Sequence, residues 1–247
     1  MSWLDRVLAV PTVGCGFKPT AQFSTDTLAS LRPLILKHNK TEAAAAIKIV
    51  DPLHVEVKTA GIIYAVSNES CSAQYHYAID LVDRPGEIPE LRPRVPIDRY
   101  TNLLENVLSA WSEMVDLLLA TETRSVIRIG VVAQCKLDGE SLPPGVLAFI
   151  EHQQKPWGDR PLEKCQIHII STIGESEAGR DRCHHILDVN VDRKNDVRLT
   201  LDWQRILPEA IELRANKLRD ITQQSVPTAL EYFETFGKGD LHYVETK

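Results

Sequence analysis

The sequence contains no long hydrophobic run. Its longest clearly apolar stretch, residues 126–135 around Arg128, falls well short of the ~20 residues that a membrane-spanning helix needs. Residues 1–10 include Trp3, Asp5 and Arg6 and contain no adequate apolar core for a signal peptide. We therefore expect a cytoplasmic protein that does not associate with membranes.

Common catalytic and nucleotide-binding motifs are also absent. GxSxG, HExxH, GxGxxG and GxxxxGK[ST] do not occur, so the sequence lacks these hydrolase, zinc-protease, dinucleotide and P-loop signatures. The cysteines are odd in number, widely spread and free of any CxxC pair: Cys15, Cys71, Cys135, Cys165 and Cys183. This pattern favours reduced, mostly buried thiols over a disulfide framework or a zinc site. We expect no cofactor.

Composition and charge are those of an ordinary globular protein. Hydrophobic residues make up 43% and charged residues 25% of the 247 residues, far from the composition of disordered chains. The formal net charge is -6, so the overall field repels a phosphate backbone, and we do not expect nucleic acid as a partner. Without a long polar linker, residues 1–247 are predicted to form one domain, with a loose tail at 237–247.

Period-two alternation of polar and apolar residues predicts a largely antiparallel sheet. It runs through residues 54–58, 61–66 and 74–81, and strong strands are predicted at 125–137, 164–171 and 184–191, with a short one at 13–17 interrupted by Gly14 and Gly16. One apolar stripe over residues 98–121 predicts a long helix that packs on this sheet. The fold class is therefore α+β.

Further helices and loops are predicted from turn residues and capping. We expect helices at residues 25–37, at 207–220 beginning close to Pro208, and at 228–236 after Pro227. Residues 43–50 suit either a helix or a strand. Residues 143–145 and 154–161 are predicted to be loops, and residues 171–182 a hairpin connection.

Residues 181–196 concentrate side chains that could bind a metal ion. Asp188, Asn190 and Asp192 match the first, third and fifth ligands of a calcium loop. However, Arg193 replaces the required glycine and Leu199 the bidentate glutamate, so the calcium interpretation fails. Neighbouring residues of a strand point to opposite faces, so Cys183, His184 and His185 cannot all bind one ion. No metal site is predicted.

The same alternation predicts one polar face across the sheet. If the strands share a sheet, that face gathers a common set of side chains: Arg128, His168, Asp188, Asn190 and Asp192, with His76 and Glu56. Three interpretations stay open for it: a cross-strand ion-pair lattice, a surface for a ligand or partner that uses Arg128 and Asn190, or acid–base catalysis by His168, Asp188 and Asp192. Trp157 is the expected exposed aromatic, which either anchors a partner or covers the core.

Several short segments resemble a sporadically distributed, uncharacterised family of bacterial proteins. The residues that carry the resemblance are the 100–111 helix, Arg128-Ile129-Gly130, the strand at 187–191 and Asp220-Ile221-Thr222, together with a short N-terminal strand and helix. The resemblance implies an α+β domain, sometimes found among genes for defence or toxin systems. It supplies no catalytic residues.

Two functional hypotheses follow. The first is a non-catalytic binding or regulatory protein that engages a protein partner through the polar face or Trp157, and that can form a homo-oligomer. The alternative is a hydrolase or nuclease-like enzyme that uses the acidic and histidine residues of that face.

Overall fold

A nine-stranded antiparallel sheet dominates the fold. The computed structural model describes residues 2–19, 29, 31–34, 46–51, 54–59, 61–77, 79–82, 90–93, 98–120, 123–158, 160, 164–173, 182–191 and 197–240. The strands of this sheet are β1 Leu8–Phe17, β2 Ala46–Asp51, β3 His54–Lys58, β4 Ile62–Ser67, β5 Ser70–Tyr75, β8 Arg124–Leu137, β9 Cys165–Ile173, β10 Arg182–Val191 and β11 Val197–Leu213. Their order is β2-β3-β4-β5-β1-β8-β11-β10-β9. Strands β6 Ile79–Val82 and β7 Glu90–Pro93 form a separate hairpin sheet.

Besides the helical residues 29 and 32–34, the described ranges contain three α-helices: α1 Tyr100–Leu118, α2 Pro144–Gln154 and α3 Ala215–Lys238. Short 3-10 turns lie at Leu4–Arg6, Gly139–Ser141 and Lys155–Trp157. The predicted α+β class with a largely antiparallel sheet is confirmed.

The helices cover one face of the sheet. Helix α1 packs on β1, β4 and β5, whereas α3 packs on β8 and β11 and also contacts α1 and α2. Strand β1 shows the resulting alternation, because Val13 and Cys15 are buried against the helices. We refer to the opposite surface, formed by the alternate residues of the nine strands, as the open face.

The predicted stripe of the long helix is confirmed. Its stripe residues are buried except for Leu108, and Met114 joins them: Tyr100, Leu103, Leu104, Val107, Trp111, Met114, Val115 and Leu118. Burying so many large apolar side chains, each worth about 1.5–3 kcal/mol, anchors this helix on the sheet. The Tyr100 hydroxyl also donates to the Val132 carbonyl at 3.2 Å, and Arg219 Nη1 donates to Asp116 Oδ2 at 2.7 Å, tying α3 to α1.

Strand β1 is longer than the predicted 13–17 segment and is continuous. Gly14 does not interrupt it, because β5 approaches so closely that a Cβ at Gly14 would lie 2.8 Å from the Cys71 carbonyl oxygen. Pro11 pairs with Ala133 on one side, while the pairing with β5 begins only at Thr12. The proline is tolerated because its position is paired with a neighbouring strand only on the β8 side.

The predicted strand at 74–81 is not continuous: residues 76 and 77 lie outside any strand, whereas residues 79–81 belong to β6. Strand β5 ends at Tyr75, and the chain enters the separate hairpin at Ile79. Both neighbours of β5 stop there, since β4 begins at Ile62 opposite Tyr75 and the β1 pairing ends at Thr12. Polar and apolar residues continue to alternate in the sequence after Tyr75, but no neighbouring strand in the described part of the chain is paired with β5 there. The ambiguous 43–50 segment is a strand over its described part, 46–50.

The predicted helix at 207–220 is also wrong. Strand β11 runs to Leu213, and the helix begins at Ala215. Pro208 is accommodated in the strand because the pairing with β8 is interrupted between Ile206 and Ile211, where no ladder donor is required.

Two further predictions need correction in the helical layer. Residues 144–154, placed partly in a predicted loop, form α2, and Pro144 stands at the start of the helix where its missing N–H is harmless. The separate helix predicted after Pro227 is part of α3, which runs through the proline to Lys238. The predicted tail therefore begins later than residue 237, and residues 241–247 lie outside the described part.

Little of the predicted 25–37 helix is described. Residues 32–34 are helical, and Leu31 and Leu34 are buried. The hairpin connection predicted at 171–182 lies outside the described residues between 174 and 181. None of the helices in the described ranges is long and apolar enough to cross a membrane.

Candidate functional site

His168 and Asp188 meet on the open face. They are directly opposite each other in the β9–β10 ladder, and His168 Nδ1 is hydrogen bonded to Asp188 Oδ1. Their side chains are 56% and 49% exposed, so the pair lies in contact with water. When Nδ1 donates to the carboxylate, Nε2 becomes the basic nitrogen of the ring. The pair can thus accept a proton or bind a donor.

Asn190 and Asp188 share this face, as the alternation predicted. Asn190 stands opposite Gln166 of β9 and Arg198 of β11. Asp192, the second acidic candidate for catalysis, lies outside the described residues.

Arg128 shares the open face but lies apart from the histidine–aspartate pair. Arg128 is paired with Ile206 of β11, and Ile206 is paired with Arg182 of β10. Arg182 lies six residues along β10 from Asp188. At ~3.3 Å per strand residue that separation is about 20 Å. The Arg128 side chain extends over Gly16, where a Cβ would lie 2.5 Å from Arg128 Nε. The structure therefore does not bring Arg128 to Asp188.

Glu56 and His76 also lie far from β10. Strands β1, β8 and β11 separate β5 from β10, a distance of roughly 20 Å at the usual strand spacing. Glu56 Oε1 is instead 3.8 Å from His54 Nε2. Burial, and next the positive charge of Lys58, lower the pKa of His76 below its ordinary value. The predicted single gathering of polar groups is thus divided into separate local sets.

Asp202 is a candidate that sequence reasoning missed. It lies on the open face between Ile186 and Val132, and its Oδ2 accepts a hydrogen bond from Gln204 Nε2 at 2.7 Å. Its Oδ1 is buried and has no hydrogen-bond partner within the described ranges. Burial raises the pKa of the Asp202 carboxyl, although Gln204 and Arg128 act to lower it. The alternation of Thr200, Asp202 and Gln204 with Leu199, Leu201 and Trp203 was the available signal.

A groove of about 320 Å³ lies at one end of the open face. Open-face side chains from three adjacent strands contribute to its lining: Leu8, Val10, Gln134, Lys136, Arg198 and Thr200. Arg198 and Lys136 are directly opposite each other in the β8–β11 ladder. We refer to this feature as the cationic groove.

Trp157 is exposed, as expected, and lies on a different part of the molecule. It ends the 3-10 turn that follows α2, and 57% of its surface is accessible. Helix α2 packs on α3, in the helical layer. Trp157 and the open face are therefore two distinct candidate surfaces.

A second groove of about 740 Å³ lies between α1 and α3. Its lining is mostly polar and includes Glu105, Glu113, Asp116 and Asp220. Arg219 is also part of the lining, and it is paired with Asp116. Neither this groove nor the cationic groove includes His168 or Asp188.

A half-buried histidine lies on the helix-facing side of β10. His185 stacks on Tyr232 of α3 with ring centroids 4.0 Å apart, and burial lowers the pKa of His185 to about 4. The imidazole is consequently neutral at pH 7 and serves the packing of α3. Its neighbour His184 points to the open face, so the two histidines diverge as the strand geometry requires.

The thiols lie mainly in the core. Cys15, Cys71 and Cys135 are buried, whereas Cys165 and Cys183 are partly exposed, and none of the five forms a disulfide. Within the described ranges no three His, Cys, Asp or Glu side chains are grouped so that they could hold a metal ion.

Comparison with known proteins adds no family to this description. No protein-family model matches the chain, and no curated protein matches it either.

Proposed function

We propose that the chain is a non-catalytic binding or regulatory protein that holds a protein partner against the open face of its sheet. The cationic groove is the observation that carries this proposal. Arg198 and Lys136 are opposite each other in the β8–β11 ladder and both line the groove, so an acidic group of a partner can bind to two cations at once.

The surroundings of the groove suit a protein rather than a small anion. Leu8 is 40% exposed beside the two cations, and Val10 lies next to it in the groove. Protein interfaces combine apolar contacts with arginine in this manner, whereas a site for a small anion consists mainly of donors. The described open face also carries five cationic side chains against four carboxylates: Lys58, Arg128, Lys136, Arg182 and Arg198 against Glu56, Asp188, Asp202 and Glu212.

This excess contrasts with the net charge of -6 of the whole chain. Complementary charge orients an approaching partner, so an acidic partner surface is directed to this face. The sequence resemblance adds to the proposal that the partner is a cytoplasmic bacterial protein from a defence or toxin-related system.

Partner capture from the native host tests the proposal. The protein is immobilised as wild type, Arg198→Glu and Lys217→Glu, and the recovered proteins are quantified by mass spectrometry. Arg198→Glu is expected to reduce recovery of the partner at least about tenfold, because a close charge pair contributes more than ~1.4 kcal/mol. Lys217, exposed on α3, makes the same charge change away from the open face and should leave recovery unchanged.

A Trp157→Ala variant separates the two candidate surfaces. Retained recovery is expected, since Trp157 lies in the helical layer. Loss of the partner with Trp157→Ala but not with Arg198→Glu rules out the open face as the docking surface. Nucleic acid in the captured material, with a steep loss at higher salt, contradicts a protein partner.

A hydrolase or nuclease-like activity is the second candidate, and the bond between His168 and Asp188 favours it. In that case Asp188→Asn abolishes activity because the imidazole loses the group that orients it, while the melting temperature stays nearly constant. A large loss of stability without any measurable activity in the wild type instead indicates a structural ion pair.

A further inference from the structure

The edge strand β9 has the composition of a pairing surface. It ends the order of the nine-stranded sheet, and in the described part of the chain β10 is its single neighbouring strand. Edge strands of soluble proteins are usually protected from pairing by lysine, proline or charged residues. Cys165–Ile173 contains no proline, lysine, arginine, aspartate or glutamate.

Exposed isoleucines lie on both faces of this strand. Ile169 is 39% exposed on the helix side and Ile170 is 55% exposed on the open side, so neither face of β9 is well covered by the described helices. Strand β2, at the other edge of the sheet, carries Lys48 and Asp51 within six residues. The two edges thus differ, and only β9 combines neutrality with exposed β-branched side chains.

We propose that β9 pairs antiparallel with β9 of a second copy of this chain, giving a symmetric dimer with a continuous sheet. In such a pair each residue near the two-fold axis stands opposite itself or a close neighbour. A charged residue there would face an identical charge, and the uncharged sequence of β9 avoids this repulsion. A two-fold axis perpendicular to the sheet keeps both open faces on the same side.

The dimer does not depend on the proposed function. It uses the backbone and isoleucines of β9, whereas the partner is proposed to bind at the cationic groove on β1, β8 and β11.

Molar mass in solution tests the pairing. Light scattering after size exclusion should give twice 27.7 kDa for the wild type. Ile170→Lys places two ammonium groups beside the axis and should give the mass of one chain, or raise the dimer dissociation constant at least about tenfold. Leu147→Lys, on an equally exposed helical position, should remain dimeric.

Ile169→Lys provides a second variant on the other face of β9 if Ile170→Lys fails to fold. Melting by circular dichroism identifies a folding failure. A wild type that stays at 27.7 kDa up to about 100 µM, far above the Kd of even a micromolar interface, overturns the proposal. A dimer that is unchanged in both folded lysine variants overturns it as well.

Discussion

Asp202 carries a clear energetic cost among the single residues of the open face. One of its carboxylate oxygens is buried without a hydrogen bond in the described part of the chain, and burial raises its pKa. An unsatisfied buried polar group costs roughly 1–3 kcal/mol. A residue kept at such a cost is consistent with a surface selected for binding rather than for stability.

His185 gives the protein a defined dependence on pH. Its pKa is lowered to about 4 by burial, whereas an unfolded histidine titrates near 6.5. Between these values the unfolded chain binds a proton that the folded chain does not, so stability falls as pH decreases from about 6.5 to 4. Above about 6.5 this residue adds no pH dependence.

Replacing His185 by phenylalanine keeps the ring on Tyr232 and removes the titration. We expect the loss in melting temperature between pH 7 and pH 5 to be several degrees smaller in His185→Phe than in the wild type. His152→Phe, an exposed histidine on α2, serves as the control and should retain the wild-type slope. Identical slopes in all three proteins would mean that His185 titrates normally in the fold.

At the scale of elements, the contact between α2 and α3 depends on one glycine. A Cβ at Gly145 would lie 1.8 Å from the Phe236 carbonyl oxygen and 2.7 Å from the Gly239 nitrogen. These two atoms belong to the backbone, which cannot move aside as readily as a flexible side chain. Gly145→Ala is therefore expected to lower stability by roughly 1–3 kcal/mol, or about 2–4 °C in melting temperature per kcal/mol.

Gly130→Ala provides the matched control for that change. The nearest atom to its added Cβ is the Trp203 carbonyl oxygen at 3.6 Å, an ordinary contact. Alanine also suits a strand better than glycine. A melting temperature close to that of the wild type is expected, and equal losses in both alanine variants would show that α2 does not press on α3.

The elements that sequence reasoning predicts best are those with a sustained period. The α1 stripe and the alternation in β8 and β10 follow from side-chain geometry alone. The end of β11 does not, because residues 207–218 combine a helical spacing with a proline, and the renewed pairing of residues 211–213 with β8 makes the first part of this segment a strand. The contact between His168 and Asp188 depends on the register of β9 and β10. Alternation predicts that both side chains lie on the same face of the sheet, but it does not determine which residues of the two strands are paired.

At the scale of the whole molecule, all described helices lie on one side of the sheet and the open face lies on the other. An acidic chain thus presents a surface on which cations outnumber carboxylates, with the cationic groove at one end. Pairing through β9 would join two such surfaces in one plane and allow two contacts with a symmetric partner, which strengthens binding without new contacts.

The central claim is that a protein partner binds at the cationic groove. Calorimetric titration of the captured partner with Thr200→Trp tests it directly, because the indole fills the groove of about 320 Å³ without changing charge. We predict a Kd at least about tenfold weaker than that of the wild type, with an unchanged melting temperature. A wild-type Kd for Thr200→Trp, together with weaker binding by Trp157→Ala, would contradict the account.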